Sequence, residues 1–473
     1  MPAKITQVYT LRIETISPVA ILSGARLREE VDFFVNQETK TTCVINSDAA
    51  LELALARWLE RQPSPEERRR QLEQRAEKIR RWKERHKAEI KQFEQSPPRD
   101  PRKQVQQEER LRDEARKIKQ AERELREEQQ LLALSGDVSP TVPDQLLSNS
   151  GFGDLIKSGL LSDADLSPDS RLTRYYYAGQ PASQSGQSEI LACVKDAFGR
   201  LYIPGSSLKG ALRTILSWAL APENAGNALT QFASEADKRQ AARPIERAIF
   251  YGRKQGDDRR VSHELLRDVM RVVHIGDSRP LRQMPELLNV QVFPQGSPIA
   301  VEAIPAGLTF TATLQIDLYP LTSPVARAII DFGNWTDLLQ PAALAAGGRR
   351  RARQLIEGEK EYFKNRGAPA LSQFYQELEK QLEQLDQTNS FLIPIGWGAG
   401  WRTKTLDDRL RADQQREQVF VEAVHRYRMK IDEQRSRRFQ AGDLFPATRK
   451  LVMRGKHPYL PLGWMRITIE ERG

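Results

Sequence analysis

The 473-residue chain is long enough for two or three domains, and its formal net charge is +10. This excess of lysine and arginine favours a polyanionic partner such as RNA or DNA, because these cations neutralise phosphates and release counterions. Cys43 and Cys193 are too few and too far apart for a disulfide framework or a zinc cluster, so no metal site is expected. The first residues lack a signal pattern and no window is apolar enough for a membrane span, so we expect a cytoplasmic protein.

The amino-terminal region, residues 1–61, is predicted to form the first part of a β-rich core. Its first strand covers Gln7–Ser17, where apolar residues alternate approximately with polar ones up to Pro18. Two shorter strands and one helix follow, with predicted limits Val31–Val35, Thr42–Ile45 and Ala49–Glu60. Ser47 and Asp48 are typical capping residues for that helix.

Residues 62–134 differ sharply in composition from the rest of the chain. Glu, Arg, Lys and Gln dominate, sparse apolar residues stand at helical spacing, and prolines at 97, 98 and 101 interrupt the run. The segment therefore predicts an antiparallel helical hairpin with a proline-containing turn, inserted into a β-rich domain. Charges of alternating sign are typical of a solvated face with ion pairs four residues apart. A dedicated RNA-contacting role is the alternative.

The second part of the core is assigned to residues 135–320, followed by a helical region over 321–390 and a glycine-rich loop with a final strand over 391–473. Residues 135–188 are predicted to form loops with short helices. Further strands are predicted over 201–203, 272–275, 290–293, 308–318 and 463–469. Helices are predicted over 207–220, 323–335 and 349–385, the last starting after Gly347–Gly348 and breaking near Gly367–Pro369. Strands separated by helices without a long parallel pattern indicate an α+β fold.

The strongest local signal is the segment YIPGSSLKGALR, residues 202–213. A strand, a Pro-Gly turn and a helix start predict unpaired backbone amides at the positive end of the helix dipole, which suits a phosphate. Ser206 or Ser207 can cap this helix, and Lys209 and Arg213 lie one turn apart, where they can clamp successive phosphates. Gly205 supports the turn, and Gly210 permits close approach of another backbone. An ordinary capped helix with surface cations is the alternative.

The second signal is the segment IGWGAGWRTKT, residues 395–405. Gly396, Gly398 and Gly400 allow tight turns and open amides that suit a phosphate or another backbone, and two cations, Arg402 and Lys404, follow them. The tryptophans at 397 and 401 either stack on bases or pack internally. Neither segment matches a nucleotide-hydrolysing loop or a dinucleotide fingerprint, because the glycine and lysine spacings differ.

Together these segments resemble the RAMP superfamily of CRISPR proteins. IPGSSLKGALR looks like the hallmark of that family, and GWGAGWRTKT resembles its late glycine-rich loop. The opening LRIETISPVAILSGA is similar to the first strand and loop, a T-x-x-P-x-x-I-G-S-G pattern, in which Ser23 and Gly24 match and the first glycine is replaced by Leu22. HPYLPLGWMRI resembles the carboxy-terminal strand of the fifth, terminal Csm-type subunit. The hairpin at 62–134 has no counterpart in the resemblance.

The resemblance implies a ferredoxin-like, RRM-related core and a role as a guide-RNA-binding backbone subunit of a type III antiviral effector complex. The implied partners are CRISPR guide RNA, target RNA, other RAMP subunits and a large polymerase-like subunit, with no membrane and no cofactor for guide binding. The residues placed at the RNA are Ser23, Gly24, Gly205, Ser206, Ser207, Lys209, Gly210, Arg213, Gly396, Gly398, Gly400, Arg402 and Lys404.

Two catalytic alternatives accompany this scaffold role. The resemblance implies that a single aspartate after the first strand can cut target RNA, and Asp32 is the nearest candidate, with Mg²⁺ as its metal. A metal-independent repeat-processing endonuclease would instead use a histidine as general acid or base, either His263 or His274. The sequence favours a non-catalytic protein, because Asp32 stands in an apolar run, His263 is expected at the surface, and His274 is expected to be a partly buried strand residue without a second acid or base.

Overall fold

The computed structural model describes residues 5–135, 151–182, 188–224, 227–235, 237–255, 264–429 and 438–472. The chain divides into a β-rich unit, residues 1–44 and 173–473, and a helical unit, residues 45–172. The helical unit therefore interrupts the β-rich unit and extends beyond the predicted hairpin on both sides. Helices and sheets of this kind confirm the α+β class.

The strands are, in chain order, β1 (Thr6–Thr15), β2 (Leu22–Arg28), β3 (Phe33–Asn36), β4 (Thr41–Ile45), β5 (Thr173–Ala178), β6 (Glu189–Cys193), β7 (Arg253–Lys254), β8 (Val273–Ile275), β9 (Glu286–Phe293), β10 (Pro298–Ala303), β11 (Thr309–Asp317), β12 (Ile330–Asp331), β13 (Ser390–Pro394), β14 (Arg449–Arg454), β15 (His457–Pro461) and β16 (Trp464–Glu471).

The α-helices are α1 (Ser47–Glu60), α2 (Pro65–Gln95), α3 (Pro101–Ser135), α4 (Phe152–Lys157), α5 (Gly205–Asn224), α6 (Ala228–Gln231), α7 (Arg243–Phe250), α8 (Tyr319–Thr322), α9 (Pro324–Arg327), α10 (Trp335–Leu338), α11 (Pro341–Phe363), α12 (Pro369–Glu383), α13 (Asp407–Leu410) and α14 (Gln414–Arg426). Short 3₁₀ turns occupy Asp163–Leu166, Glu264–Arg267, Val269–Val272 and Arg402–Lys404.

A five-stranded sheet in the order β13-β16-β1-β11-β8 forms the centre of the β-rich unit, and each neighbouring pair is antiparallel. Alternation places Leu11 and Ile13 of β1 in the core, in register with Ala312 and Phe310 of β11. The apolar stripe of α5, Leu208, Leu212 and Ile215, belongs to the same buried cluster. A helix covering one face of an antiparallel sheet is compatible with the expected ferredoxin-like core.

A six-stranded sheet in the order β15-β14-β9-β10-β6-β2 lies in the same unit and is antiparallel except for the β10–β6 pair. Its edge strand β2 shifts register between Leu22 and Arg26, which marks a bulge. Strands β3, β4 and β5 form a small third sheet. Phe33 and Tyr177 of that sheet share a buried cluster with Ile190 and Ala300 of the six-stranded sheet.

Two helix predictions are wrong. The predicted helix over 323–335 is instead the short pieces α9, β12 and the start of α10. The next helix begins at Pro341 rather than after Gly347–Gly348, so both glycines lie inside α11. A Cβ at Gly348 would stand 2.5 Å from the ring of Phe391, so this glycine lets α11 approach β13 closely. The predicted break near Gly367–Pro369 is confirmed.

In the helical unit, α1 is capped by Asn46, whose side chain accepts from the Ala49 amide, and not by Ser47 or Asp48.

The predicted hairpin is confirmed by α2 and α3, which pair antiparallel through ion pairs such as Arg75–Glu124 and Lys83–Glu122. Its most buried side chains recur every seven residues, as in a coiled coil: Ile79 and His86 on α2, and Leu111, Ile118 and Leu125 on α3. Ion pairs four residues apart, such as Glu77–Arg81, cover the outer faces.

Candidate nucleic-acid interface

Helix α5 starts against the protein's own backbone. A Cβ at Gly205 would lie 2.1 Å from the carbonyl oxygen of Ile275, so no side chain fits at this position. The Gly205 amide donates to Asp277 Oδ1 at 2.8 Å. The amides of Ser207 and Leu208 both donate to the Pro204 carbonyl. The start of the helix is therefore largely satisfied by the protein itself.

Ser206 is the open position of this helix start. The helix begins at Gly205, so Ser206 and Ser207 lie in its first turn and do not cap it, which corrects the capping prediction. Ser206 is exposed, and in the described part of the chain its amide has no hydrogen-bond acceptor. One free amide at the positive end of a 20-residue helix is a weaker anion site than the predicted series of free amides.

Lys209 and Arg213 have different surroundings although they stand one turn apart. Arg213 Nη1 donates to Asp268 Oδ2 at 2.9 Å, Glu246 lies 3.7 Å from its Nε, and its guanidinium lies 4.1 Å from the Phe250 ring centre. These contacts give Arg213 a structural role, and its contact with RNA stays a prediction. Lys209 is half-buried and has no acidic partner within the described ranges. Gly210 is exposed, and a Cβ there would meet no atom within 4 Å, so that surface is open.

The glycine-rich loop joins three segments that are far apart in the sequence. The Trp397 amide donates to the Ala20 carbonyl at 2.6 Å, and a Cβ at Gly396, whose φ is +83°, would lie 2.5 Å from that same oxygen. A Cβ at Gly398 would lie 2.4 Å from Leu462 Cδ1. Gly463 donates in turn to the Pro18 carbonyl at 2.8 Å. The first-strand loop, the glycine-rich loop and the carboxy-terminal strand thus meet at one place.

From Gly398 onward the half-buried loop leaves backbone amides unpaired within the described part of the chain. The amides of residues 398–401 have no acceptor among the residues that the structure describes. Gly400 has φ +106°, and a Cβ there would meet no atom within 4 Å. Successive free amides next to glycines with positive φ are typical of anion-binding concavities.

Two lysines adjoin these amides. Lys450, on β14, lies with its Nζ 4.2 Å from the centre of the Trp397 ring. Burial lowers the pKa of Lys450, and the positive charge of Lys404 lowers it further. Crowding around the amine also lowers the pKa of Lys404, although the residue as a whole is exposed. Neither lysine has an acidic partner within the described ranges, so the pair is an uncompensated positive site. Sequence reasoning missed Lys450, because only the fold brings it next to Lys404.

Arg402 faces the protein interior. It packs on Gly358 of α11, where a Cβ would lie 2.0 Å from its Nη1, and its Nε lies 3.6 Å from Asp407 Oδ2. Trp401 packs against Phe445 with ring centres 5.5 Å apart. These contacts indicate that Arg402 and Trp401 shape the loop, and RNA binding by Arg402 stays a prediction.

A buried arginine fixes the end of this loop. Arg351 of α11 is only 3% exposed, and its Nη1 donates to Asp408 Oδ1 at 3.0 Å. Its Nη2 donates to the carbonyls of Arg402 and Thr405, the latter at 2.8 Å. Asp408 also accepts from Trp218 Nε1 of α5 at 2.8 Å. The glycine-rich loop is thereby tied to the far end of helix α5.

Ser23 and Gly24 lie in the bulge of edge strand β2. Both are exposed, and Gly24 has φ +89° with no atom within 4 Å of a Cβ built there. Ser23 Oγ donates to the Ala192 carbonyl at 3.2 Å, which holds the bulge on β6. The position is accessible, and its RNA contact stays a prediction.

The candidate catalytic residues have few chemical partners. Asp32 Oδ2 accepts from the Arg28 amide at 2.8 Å, so the carboxylate closes a turn before β3. The described residues hold no group of three or more potential metal ligands. His274 lies on β8 as predicted but is exposed, because it stands on the outer face of the sheet opposite the exposed Gln315, and this corrects the expected partial burial. His263 lies outside the described residues.

Among the described helices, none combines the length and apolar composition required for a membrane span.

Comparison with known proteins gives the family. The model of the RAMP superfamily matches residues 12–403. The CRISPR system Cms protein Csm5 of Mycobacterium tuberculosis is 26% identical over 229 residues, which cover 46% of this chain and 52% of that protein. The Csm5 protein of Streptococcus thermophilus is 33% identical over 100 residues, covering 21% of this chain and 24% of that protein. The chain thus spans about half the length of its Mycobacterium tuberculosis relative.

Two solved structures share the fold at 17% sequence identity. A chain in the cryo-EM structure of a Csm–crRNA–target RNA ternary complex of a type III-A CRISPR-Cas system matches with a TM-score of 0.57, over 98% of this chain and 100% of that chain. The crystal structure of T. onnurineus Csm5 matches with a TM-score of 0.51, over 96% and 99%. With the family model covering most of its residues, the chain belongs to the RAMP superfamily.

Proposed function

We propose that this chain is a Csm5-like subunit of a type III CRISPR-Cas complex and that it binds the phosphate backbone of CRISPR guide RNA. Its family, its similarity to Csm5 proteins and its fold support the first part. In this proposal the neighbouring molecules are other Csm-type subunits, a large polymerase-like subunit and the target RNA. Defence against viruses would then be a property of the complex.

The observation that carries the RNA-binding part is the pair Lys404 and Lys450 beside the free amides of residues 398–401. Two like charges held together without an acidic partner destabilise a fold unless an anion neutralises them. Both lysines are partly desolvated, which strengthens their interaction with a bound phosphate. The geometry therefore favours a phosphate ligand over a structural purpose for this pair.

A second locus extends the surface. Ser206 and Lys209 lie at the start of α5, and Trp218, twelve residues after Ser206, is tied through Asp408 to the glycine-rich loop. A helical separation of twelve residues spans roughly 18 Å. A small anion cannot reach both loci, whereas an extended polyanion can. Guide RNA is such a ligand, and this favours it over a free nucleotide.

The test measures the affinity of the full chain for guide RNA at several salt concentrations. The variant is Lys404→Ala combined with Lys450→Ala. For single strands, log K falls with log salt by about 0.7 for each phosphate neutralised, so we expect the slope to become shallower by about 1.4. Affinity at low salt should fall with it.

A control removes the same charge elsewhere. Lys364→Ala combined with Lys380→Ala also lowers the net charge by two. Lys364 caps the carboxy end of α11, Lys380 lies on α12, and both side chains are about two-thirds exposed. This control should keep the wild-type slope. Equal slopes for both double variants would refute the assignment of the phosphate site, because the effect would then follow net charge alone.

A further inference from the structure

We propose that Phe198 and Met284 form a stacking platform for one unpaired base of bound RNA, an inference that rests on the proposed function. Phe198 is 82% exposed and Met284 is 52% exposed. They line one open depression together with Gly199, Arg200, Arg282 and Gln283. A single exposed apolar side chain is common on protein surfaces. An exposed aromatic ring beside a second apolar side chain and arginines is the combination that holds splayed-out bases.

A rigid turn presents the Phe198 ring. Asp196 Oδ1 accepts from the amides of Phe198 and Arg200 at 3.0 and 2.8 Å, and the Gly199 amide donates to the Asp196 carbonyl at 2.9 Å. Gly199 has φ +75°, which glycine adopts without strain. The ring is therefore held in the open by ordered backbone. A platform that is already ordered loses little conformational entropy when a base binds.

The base of this turn is anchored in the core. Lys195 pairs with Leu201 across the turn, and Leu201 is fully buried. Lys195 forms an ion pair with Glu302, which is also fully buried. The outward position of Phe198 thus follows from fixed neighbours on both sides of the turn.

A second segment supplies Met284 and further cations. The Leu281 amide donates to the Leu201 carbonyl at 2.9 Å, and the Leu201 amide donates to the Leu281 carbonyl at 3.2 Å, so residues 281–284 run beside the turn. Arg282, and Arg279 three residues before it, are exposed and have no acidic partner in the described part of the chain. Arg200 lies 5.1 Å from the Phe198 ring centre and is held by Asp196. Positive charge around an apolar platform matches a nucleotide, which carries a flat base and an anionic phosphate.

The platform is connected to the first phosphate locus. The Ser278 amide donates to the Ile203 carbonyl at 2.9 Å, and the Ile203 amide donates to Ser278 Oγ at 2.8 Å. This ribbon runs directly into the start of α5. Eight residues separate Phe198 from Ser206, so the two lie at most roughly 28 Å apart. One RNA strand can reach both positions.

The experiment uses the full chain and single-stranded guide RNA that carries 5-iodouridine at one position, scanned along the strand. Irradiation should give a cross-link to the peptide that contains Phe198 at one position of the scan. Phe198→Leu should abolish this cross-link and weaken RNA binding about fivefold or more. The slope of log K against log salt for Phe198→Leu should stay at the wild-type value, because no phosphate contact is removed. Phe198→Trp should retain the cross-link and the affinity.

Tyr319→Leu serves as the matched control, because Tyr319 is also an exposed aromatic, at 49%. It should leave cross-link and affinity unchanged. If Phe198→Leu changes neither while the lysine double variant flattens the salt slope, the platform is refuted and the proposed function stands. If Phe198→Leu instead blocks co-purification with other subunits at unchanged RNA affinity, the surface is a protein interface and the platform is refuted. If the chain binds no RNA at all, both proposals fail together.

Discussion

The backbone amide of Gly205 donates a hydrogen bond to Asp277 Oδ1 over 2.8 Å, so the amino end of α5 already holds a carboxylate of the protein. This carboxylate is stabilised by the helix dipole and repels any phosphate that approaches Ser206. Two unit charges about 4 Å apart in water interact by about 1 kcal/mol. We therefore expect Asp277→Asn, which keeps an acceptor oxygen, to tighten guide-RNA binding about fivefold.

Asp277→Ala should lose the hydrogen bond as well and lower the free energy of unfolding by about 1 kcal/mol. Denaturant titration and RNA binding on both variants measure the two effects separately. Glu361→Gln, on an exposed side chain of α11, removes the same charge and should change neither. Weaker guide binding by Asp277→Asn would show that the RNA uses Asp277, and unchanged binding would show that the RNA avoids this helix end.

Lys450 should lower the stability of the unliganded protein at neutral pH. Its pKa is below the ordinary value of 10.5, because burial and the charge of Lys404 both disfavour its protonated form. Lys450→Met should therefore raise the free energy of unfolding at pH 7 by about 0.5 kcal/mol or more. Denaturant unfolding of both proteins at pH 7 gives the comparison.

The pH dependence of that difference has a defined sign. Between the lowered folded pKa and the ordinary unfolded pKa, the unfolded chain binds more protons at Lys450, so wild-type stability rises with pH there. The advantage of Lys450→Met should thus be full below the folded pKa and shrink as pH approaches 10.5. Lys456→Met, on the exposed turn between β14 and β15, should follow the wild type. If the difference in unfolding free energy between Lys450→Met and the wild type did not change with pH, this account of Lys450 would be contradicted.

Arg351 should hold the glycine-rich loop in place. It is buried, pairs with Asp408 and donates to two loop carbonyls. Arg351→Met leaves the Asp408 carboxylate with one partner fewer and should lower the free energy of unfolding by about 3–5 kcal/mol. Arg351→Lys retains the charge but cannot make all these bonds at once, so an intermediate loss is expected.

Hydrogen exchange gives the local readout for Arg351. Amides of residues 402–405 should exchange faster in Arg351→Lys than in the wild type, with smaller changes in β1 and β11. Arg353→Lys is the matched control on the same helix, because its side chain is 47% exposed and lies 3.9 Å from Asp386. It should cost under about 1 kcal/mol. Unchanged exchange at 402–405 would mean that the loop is ordered without Arg351.

Asp32 gives a test of catalysis. Since its carboxylate closes a turn with the Arg28 amide, we expect Asp32→Ala to leave every cut of target RNA by the assembled complex unchanged. The variant should lose about 1 kcal/mol of stability, and Asp32→Asn should lose less because it keeps the acceptor. Loss of one cut in both variants, with the complex intact, would instead support the metal-dependent nuclease.

The spacing of apolar residues predicted those strands and helices whose sequences keep one regular pattern: alternation for strands and helical spacing for the hairpin. Strands β1, β11 and β16 alternate, and the hairpin of α2 and α3 repeats every seven residues, so their positions are confirmed. Strands β2 and β14 were missed because a register shift breaks their alternation. Strand β10 was missed because four successive residues, Ala300 to Ala303, are buried, so its sequence does not alternate. The helix limits at 323–335 and 349 were wrong because tertiary packing decides there, as it does where Gly348 packs on Phe391 inside α11.

For the candidate site, the sequence supplied the segments but not their partners. The motif residues at 203–213 and 395–405 stand out because glycines and cations are regularly spaced. Asp277, Arg351 and Lys450 were not identified as partners, because each acts through a contact with a residue 46 or more positions away. Arg213 also pairs with a distant acidic residue, Asp268, whereas the acidic partner of Arg402 is Asp407, five residues further along the chain.

The chain leaves the β-rich unit after β4 and returns at β5, which are adjacent strands of one small sheet. The helical unit therefore takes the place of a hairpin loop, and its own two ends meet where the Asn46 amide donates to the Leu172 carbonyl at 2.7 Å. Closure entropy grows only slowly with the length of such a connection. Helices α2 and α3 can accordingly gain or lose whole heptads during evolution without altering the register of any strand, so the length of this hairpin is free to diverge while the β-rich unit stays under constraint.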